Sequence, residues 1–205
     1  MASQVLQTPL RQEIRLVAGL DAAFAKQEKR CVAAVVVWDL ARRTVVEART
    51  AWCELTFPYV PGLLSFREVP ALLEALRQLD HEPDLLLCDG QGLAHPRRFG
   101  LACHLGVLCD RPTVGCAKSR LIGEHDEPAW RRGATAPLLD HGERIGTVLR
   151  TRDRTRPVYV SVGHRIDLPT AERIVLACAC PYRLPEPTRL ADRLVAAAKT
   201  RQASD

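Results

Sequence analysis

The chain has 205 residues, 47% of them apolar and 26% charged, which fits one domain with a real core (1–205) and excludes a disordered or fibrous chain. No run approaches the length of a bilayer span, and the leading MASQVLQTPLRQEIR lacks the apolar centre of a signal peptide, so a cytoplasmic protein with no membrane partner is expected. Twenty-nine basic against 24 acidic residues, a net +5, permit a polyanionic partner without demanding one. The 8 cysteines form no CxxC pair and sit mostly in apolar runs, as small buried hydrophobes of a reducing compartment do; Cys178 and Cys180 are too close for ordinary zinc spacing.

In chain order, residues 1–15 read as a short polar, helical lead and Leu16–Phe24 as a strand. Cys31–Asp39 (CVAAVVVWD) is a fully apolar second strand, and Thr44–Leu55, rich in β-branched residues, a third. Short connections make these three an antiparallel meander. Leucines at 72, 73, 76 and 79 have helical spacing, and Ser65 with Glu68 three residues on matches a capping box. Leu85–Cys88 is a short buried strand, Pro96 opens a helix over 96–108, and Pro112–Cys116 is another buried strand. A strand pair follows at Arg144–Arg150 and Pro157–Val162, then a helix from Leu168 to Ala179 and a last helix after Pro187. Three strands followed by strand–helix alternation predict a mixed sheet with helices on both faces, the later strands made parallel by right-handed crossovers. Ligands on such sheets bind beyond the carboxyl ends of the strands.

Two carboxylates stand at such ends. Asp21 closes LVAGLD, and Asp89 closes DLLLCD ahead of Gly90-Gln91-Gly92. A charge at the edge of a buried strand usually has a partner, and two carboxylates brought together suit a hard divalent cation. Gly19 and Ala22 are small and leave room beside Asp21; Gly90 and Gly92 let the backbone turn and approach a ligand. His95, beside Pro96, sits where it can orient a water or a phosphate oxygen, and Arg97 and Arg98 suit phosphate contacts. Glu68 offers a third acid in a first helical turn, and Lys118 a point charge after a buried strand. His164 ends the last predicted strand, where it would line the same side of the sheet, more in a structural than a catalytic role. In Phe57-Pro58-Tyr59-Val60-Pro61-Gly62 two prolines stiffen a loop around a tyrosine, a tool for wedging into a base stack.

Taken together, FPYVPGLLSFRE, DGQGLAHPRR, GCAKSRL, SVGHR and RLPEPTRLAD, in that order, resemble endonuclease V, the nuclease that incises nucleic acid near deoxyinosine. The resemblance runs from about Val17 to Leu194. It implies an α/β fold of the ribonuclease H-like type, three-layer α/β/α with a mixed central sheet. It also implies Mg²⁺, or Mn²⁺ in its place, held by Asp21 and Asp89 with Glu68 acting through water. His95 and Lys118 match positions near the scissile phosphate, Tyr59 the wedge, and Asp192 a further active-site position that is Asp or His in the family. Asp192 is chosen by resemblance alone, since the residue pattern there reads as ordinary helix. Leu64, Gly90, Gln91 and Gly92 match a pocket that reads flipped hypoxanthine through backbone groups; Pro58, Pro61, Gly62, Arg97, Arg98 and Ser119 complete the expected DNA contacts.

The implied activity is Mg²⁺-dependent repair of deoxyinosine in DNA by a monomer, cutting the second phosphodiester 3′ to the lesion and leaving 3′-hydroxyl and 5′-phosphate ends. Two alternatives stand beside it: a preference for inosine in RNA, and a nucleic-acid-binding protein that has lost catalysis, against which the intact Asp21, Glu68 and Asp89 argue.

Overall fold

The run RCVAAVVVWD forms β2 (Arg30–Asp39), buried at every position after Arg30, as expected for a strand covered on both faces. It pairs antiparallel with β1 (Leu16–Ala25) on one side and β3 (Thr44–Glu54) on the other. The computed structural model describes residues 1–10, 12–25 and 29–202. From β1 the sheet continues through two parallel neighbours, β4 (Leu85–Cys88) and β5 (Thr113–Ala117). It then turns antiparallel through β8 (Val158–His164), β7 (Glu143–Leu149) and β6 (Thr135–Asp140). The strand order is β3-β2-β1-β4-β5-β8-β7-β6.

Strand alternation divides the core. Ala18, Leu20, Leu86 and Cys88 point to α1 (Ser65–Arg77) and α2 (Leu101–Cys109), whereas Val17, Leu85 and Leu87 point to α3 (Leu168–Cys178). Val32, Ala34 and Val36 meet α4 (Glu186–Gln202) through Ala191 and Val195. The result is the expected three-layer arrangement, a mixed eight-stranded sheet between two helical layers. Among the described residues no helix is long and apolar enough to cross a membrane. All eight cysteines are free thiols, five of them buried and three partly buried.

The structure departs from the sequence expectations in several places. The later strands are not all parallel: β8 enters from β7 through a short connection and runs antiparallel to β5. His164 is therefore carried to the opposite end of the sheet from Asp89, paired with Thr113 at the start of β5. There its Nδ1 accepts from the Leu6 N–H at 3.2 Å and its Nε2 lies 3.4 Å from Asp110. Among its described residues the lead is helical only as a 3₁₀ turn at Ala2–Gln4. Strand β6 escaped notice, because its exposed alternate residues and Pro137 weaken the strand pattern. The helix expected from Pro96 begins at Leu101: the Gly100 N–H donates to Gly92 O, and a Cβ on Gly100 would sit 2.3 Å from Gln91 O, so residues 95–99 turn instead. Ser65 does not cap α1, whose N-cap is Leu64; its hydroxyl lies 3.1 Å from His104 Nδ1.

Candidate active site

Leu20 of β1 is level with Cys88 of β4, and Cys88 with Gly115 of β5. Asp21 lies inside β1 rather than at its end, at the point where the parallel pairing with β4 stops. The two-residue period that sends Val17, Leu85, Leu87, Val114 and Cys116 to the α3 layer also turns Asp21, Asp89 and Lys118 to that side. A fourth group arrives from α4. Gly19 admits that helix: a Cβ there would sit 2.2 Å from the Pro187 carbonyl carbon, so the room read from the sequence as space around Asp21 is filled by backbone. Asp192, in the second turn of α4, thereby reaches the two strand aspartates.

Carboxylate oxygens of Asp21, Asp89 and Asp192 lie within 4.8 Å of one another. Lys118 Nζ is 2.6 Å from Asp89 Oδ2 and 3.3 Å from Asp192 Oδ1. Burial, then the charges of Asp89 and Asp192, push the Asp21 carboxyl up to about 7. Glu68 reaches toward the same point from α1; burial first, then Asp21 and Asp89, push it up to about 8. Burial raises Asp89 too, although the Lys118 ammonium opposes it. Burial works against the lysine's own charge, but its carboxylate partners outweigh this and raise its pKa. The Lys118 ammonium, with the Arg67 guanidinium acting on Glu68 and that of Arg183 on Asp89, does not offset the burial and crowding of these carboxyl groups, and Asp21, Asp89 and Glu68 all stay raised. The missing positive charge and the all-oxygen donor set fit a hard divalent cation of the Mg²⁺ or Mn²⁺ kind. Glu68 lies outside the close group of three, whose third member is Asp192.

Beside this cluster stands the proline-bounded loop. Tyr59 is 68% exposed at its tip, Gly62 takes φ +76°, and Pro58, Pro61 and Leu64 are exposed with them. Phe57 anchors the loop by stacking on Phe66 at 5.3 Å. The Arg67 guanidinium lies 4.6 Å from the Phe24 ring and 5.8 Å from that of Tyr59, and so links the loop to the helix that carries Glu68.

Gln91 is buried; its Nε2 donates to the Ser119 carbonyl at 3.1 Å, while its Oε1 is buried with no partner among the described residues. Gly92 donates to Ser161 Oγ, and a Cβ on it would sit 2.1 Å from Val162 O, so its missing side chain serves packing on β8. Gly90 has only the Leu101 side chain near its Cβ position, at 3.4 Å. His95 is half-buried; its Nδ1 accepts from the Arg97 N–H, and burial, then the Arg97 charge, lowers its pKa. No hydrogen bond or ion pair joins it to Asp21, Asp89 or Asp192 among the described residues. Arg97 is exposed, whereas Arg98 is engaged with Asp140 and Glu143 at the β6–β7 turn, both at 2.8 Å.

Sequence reasoning passed over Arg183. Its guanidinium donates to the carbonyls of Lys118, Arg156 and Pro157, tying the end of β5 to the start of β8. Its neighbours are backbone atoms of distant segments, which no side-chain pattern announces.

A mixed sheet bearing acidic residues and a lysine at the carboxyl ends of its parallel strands is the layout of a ribonuclease H-like nuclease. The family model for Endonuclease V matches residues 1–193. Endonuclease V of Alkalilimnicola ehrlichii is 55% identical over 192 residues, 94% of this chain and 85% of that protein. The crystal structure of Endonuclease V from Streptomyces avermitilis superposes with a TM-score of 0.94 at 45% identity, covering 100% of this chain and 90% of that one. A Ciona intestinalis Endonuclease V, in complex with a 24mer DNA containing an inosine followed by a ribo-adenosine, superposes with a TM-score of 0.84 at 26% identity, covering 98% of this chain and 93% of that one. The chain belongs to the Endonuclease V family, a family of nucleases.

Proposed function

We propose that this protein is a monomeric, single-domain, cytoplasmic DNA-repair endonuclease. It recognises deoxyinosine and hydrolyses the second phosphodiester bond 3′ to the lesion, leaving 3′-hydroxyl and 5′-phosphate ends. The carrying observation is the trio Asp21, Asp89 and Asp192 with Lys118 against it, beyond the ends of β4 and β5. A relative of the same fold in complex with inosine-containing DNA supports the substrate class.

Asp21, Asp89 and Asp192 would hold Mg²⁺, with Mn²⁺ able to substitute and Glu68 acting through water; when bound, the ion polarises the phosphodiester and acidifies water. Lys118, fixed by Asp89 and Asp192, presents its ammonium to the negative charge that grows on the phosphate. Glu68, whose carboxyl favours its proton, is the group that exchanges a proton with the attacking water. His95, neutral and donating through Nε2, positions a phosphate oxygen.

Tyr59, exposed on a stiff loop, fills the gap left when the lesion base flips out. Leu64, Gly90, Gln91 and Gly92 wall the base, and the unpartnered Gln91 Oε1 is an acceptor that a base N–H relieves. Hypoxanthine lacks the 2-amino group of guanine, so a close wall discriminates between them. Pro58, Pro61 and Gly62 shape the wedge, and Arg97, Arg98 and Ser119 lie along the strand's path.

A second reading, cleavage of inosine-containing RNA, draws support from the ribo-adenosine beside the inosine in the Ciona intestinalis complex. A Mg²⁺ nicking assay on inosine-containing DNA, inosine-containing RNA and undamaged duplex decides. Cutting of inosine DNA at the stated bond supports the repair reading. Cutting of RNA alone supports the second, and equal cutting of undamaged duplex removes the lesion specificity. Cutting of none leaves a nucleic-acid-binding protein without catalysis.

A further inference from the structure

The edge of the sheet that carries the carboxylate cluster bears a second concentration of charge. Leu149 pairs with both Thr135 and Val158, and Tyr159 with Ala117, so the β7–β8 connection (150–157) and the β5–β6 connection (118–134) emerge level with Lys118. These two segments hold eight Lys and Arg against four Asp and Glu, a net +4 within a chain of net +5.

The two connections are built rather than loose. Arg150 is fully buried at their base, and its guanidinium is bonded to Glu127 and to the carbonyls of Pro128, Ala129 and Thr155. It lies 4.3 Å under the ring of Trp130, which is nonetheless 61% exposed. The Arg154 N–H donates to Trp130 O, and Arg183 staples residues 156 and 157 to Lys118 O. Burying a guanidinium is costly unless every donor finds a partner; here it fixes a surface rather than a core. Above it, Arg152, Arg154 and Arg156 are exposed, and their side chains make no hydrogen bond or ion pair among the described residues.

We infer that this rim binds the DNA backbone flanking the scission point: the phosphodiester chain that passes Lys118 continues over Arg156, Arg154 and Arg152 toward the face of Trp130. The inference rests on the nuclease reading above and adds to it a flanking contact surface. From β5 to β6 is three strand spacings, roughly 14 Å, or about four base-pair steps along B-DNA. A fixed, exposed indole among unpaired arginines suits stacking and backbone contact.

The test compares the wild-type chain with Arg152→Ala/Arg154→Ala/Arg156→Ala, binding deoxyinosine duplex and undamaged duplex in EDTA over a salt series. Each lost phosphate contact flattens the slope of log K against log salt by about 0.9, so the triple variant is expected to flatten it by roughly 2–3 on both duplexes. Single-turnover cutting at saturating enzyme should stay at the wild-type rate, and the melting temperature should not move. Trimming the duplex on one side of the lesion, and not on the other, should erase the difference between the two proteins. Trp130 fluorescence should quench on binding, and Trp130→Phe should remove that quench. An unchanged salt slope, or a difference insensitive to trimming on either side, overturns the rim. Absence of any preference for deoxyinosine by the wild type would count against the function reading instead, because the slope comparison on undamaged duplex does not depend on it.

Discussion

Gly19 and Pro187 are in backbone contact: the Cα of one lies so close to the carbonyl of the other that a methyl group on residue 19 would stand 2.2 Å from the carbonyl carbon. Neither partner atom belongs to a flexible side chain, so one element must move. Gly19→Ala is expected to push the start of α4 off β1, lower stability by about 1–3 kcal/mol as overpacking does, and draw Asp192 away from Asp21 and Asp89. Thermal melting with and without Mg²⁺ checks it. A variant as stable and as Mg²⁺-responsive as the parent would show that α4 does not set the cluster.

Asp89→Asn should abolish cutting while leaving DNA binding in place, as single-turnover cleavage and a binding titration would read separately. It should also raise the stability of the metal-free protein at alkaline pH, since a buried charge among like charges is removed. Retained turnover would remove Asp89 from the reaction.

The pH dependence of stability has two limbs. Asp21 and Glu68 bind protons more tightly folded than unfolded, with values pushed up to about 7 and about 8. Their contribution is fully present below the unfolded values, near pH 4, and is lost as pH rises through the folded ones. Glu47 behaves oppositely. Burial works against its charge, but hydrogen bonds from the backbone of Asp80 and His81, the His81 ring and the charge of Arg49 lower its pKa. Its contribution is present above the unfolded value and lost as pH falls through the folded one. The melting temperature of the metal-free protein should therefore peak in mild acid and decline toward about pH 8, and Mg²⁺ should restore the alkaline limb by taking the protons' place. A Mg²⁺ effect that is the same at both ends of this range would refute the account.

Tyr59→Ala should weaken binding to deoxyinosine duplex by about 1–3 kcal/mol, the range of base–aromatic stacking, with Tyr59→Phe close to the parent. Because the ring is largely exposed, the melting temperature should hardly change. Equal affinity for the lesion in Tyr59→Ala would demote the wedge.

Most of the architecture was legible because its signals are local. An unbroken apolar run announced β2, and short buried runs announced β4 and β5 with Asp89 and Lys118 just beyond them. What escaped depends on contacts between distant segments. The late start of α2 follows from Gly100 packing on the Gln91 carbonyl, and the reversed course of β8 from its hairpin with β7, which is itself reached through β6, a strand with a weak pattern. Asp192 looked like surface helix because its neighbours come from strands 103 and 171 residues earlier, at Asp89 and Asp21. Arg183 and Arg150 answer to carbonyl groups, which every residue has and no composition reveals.

The docking of α4 on β1 has a temporal consequence. Ribosomes deliver Asp21 and Asp89 well before Asp192, so a nascent chain carries its strand aspartates for a time without the trio that only the docked helix completes. Until α4 has docked the strand aspartates stand without their third partner, and any local loosening of that one helix takes the trio apart again.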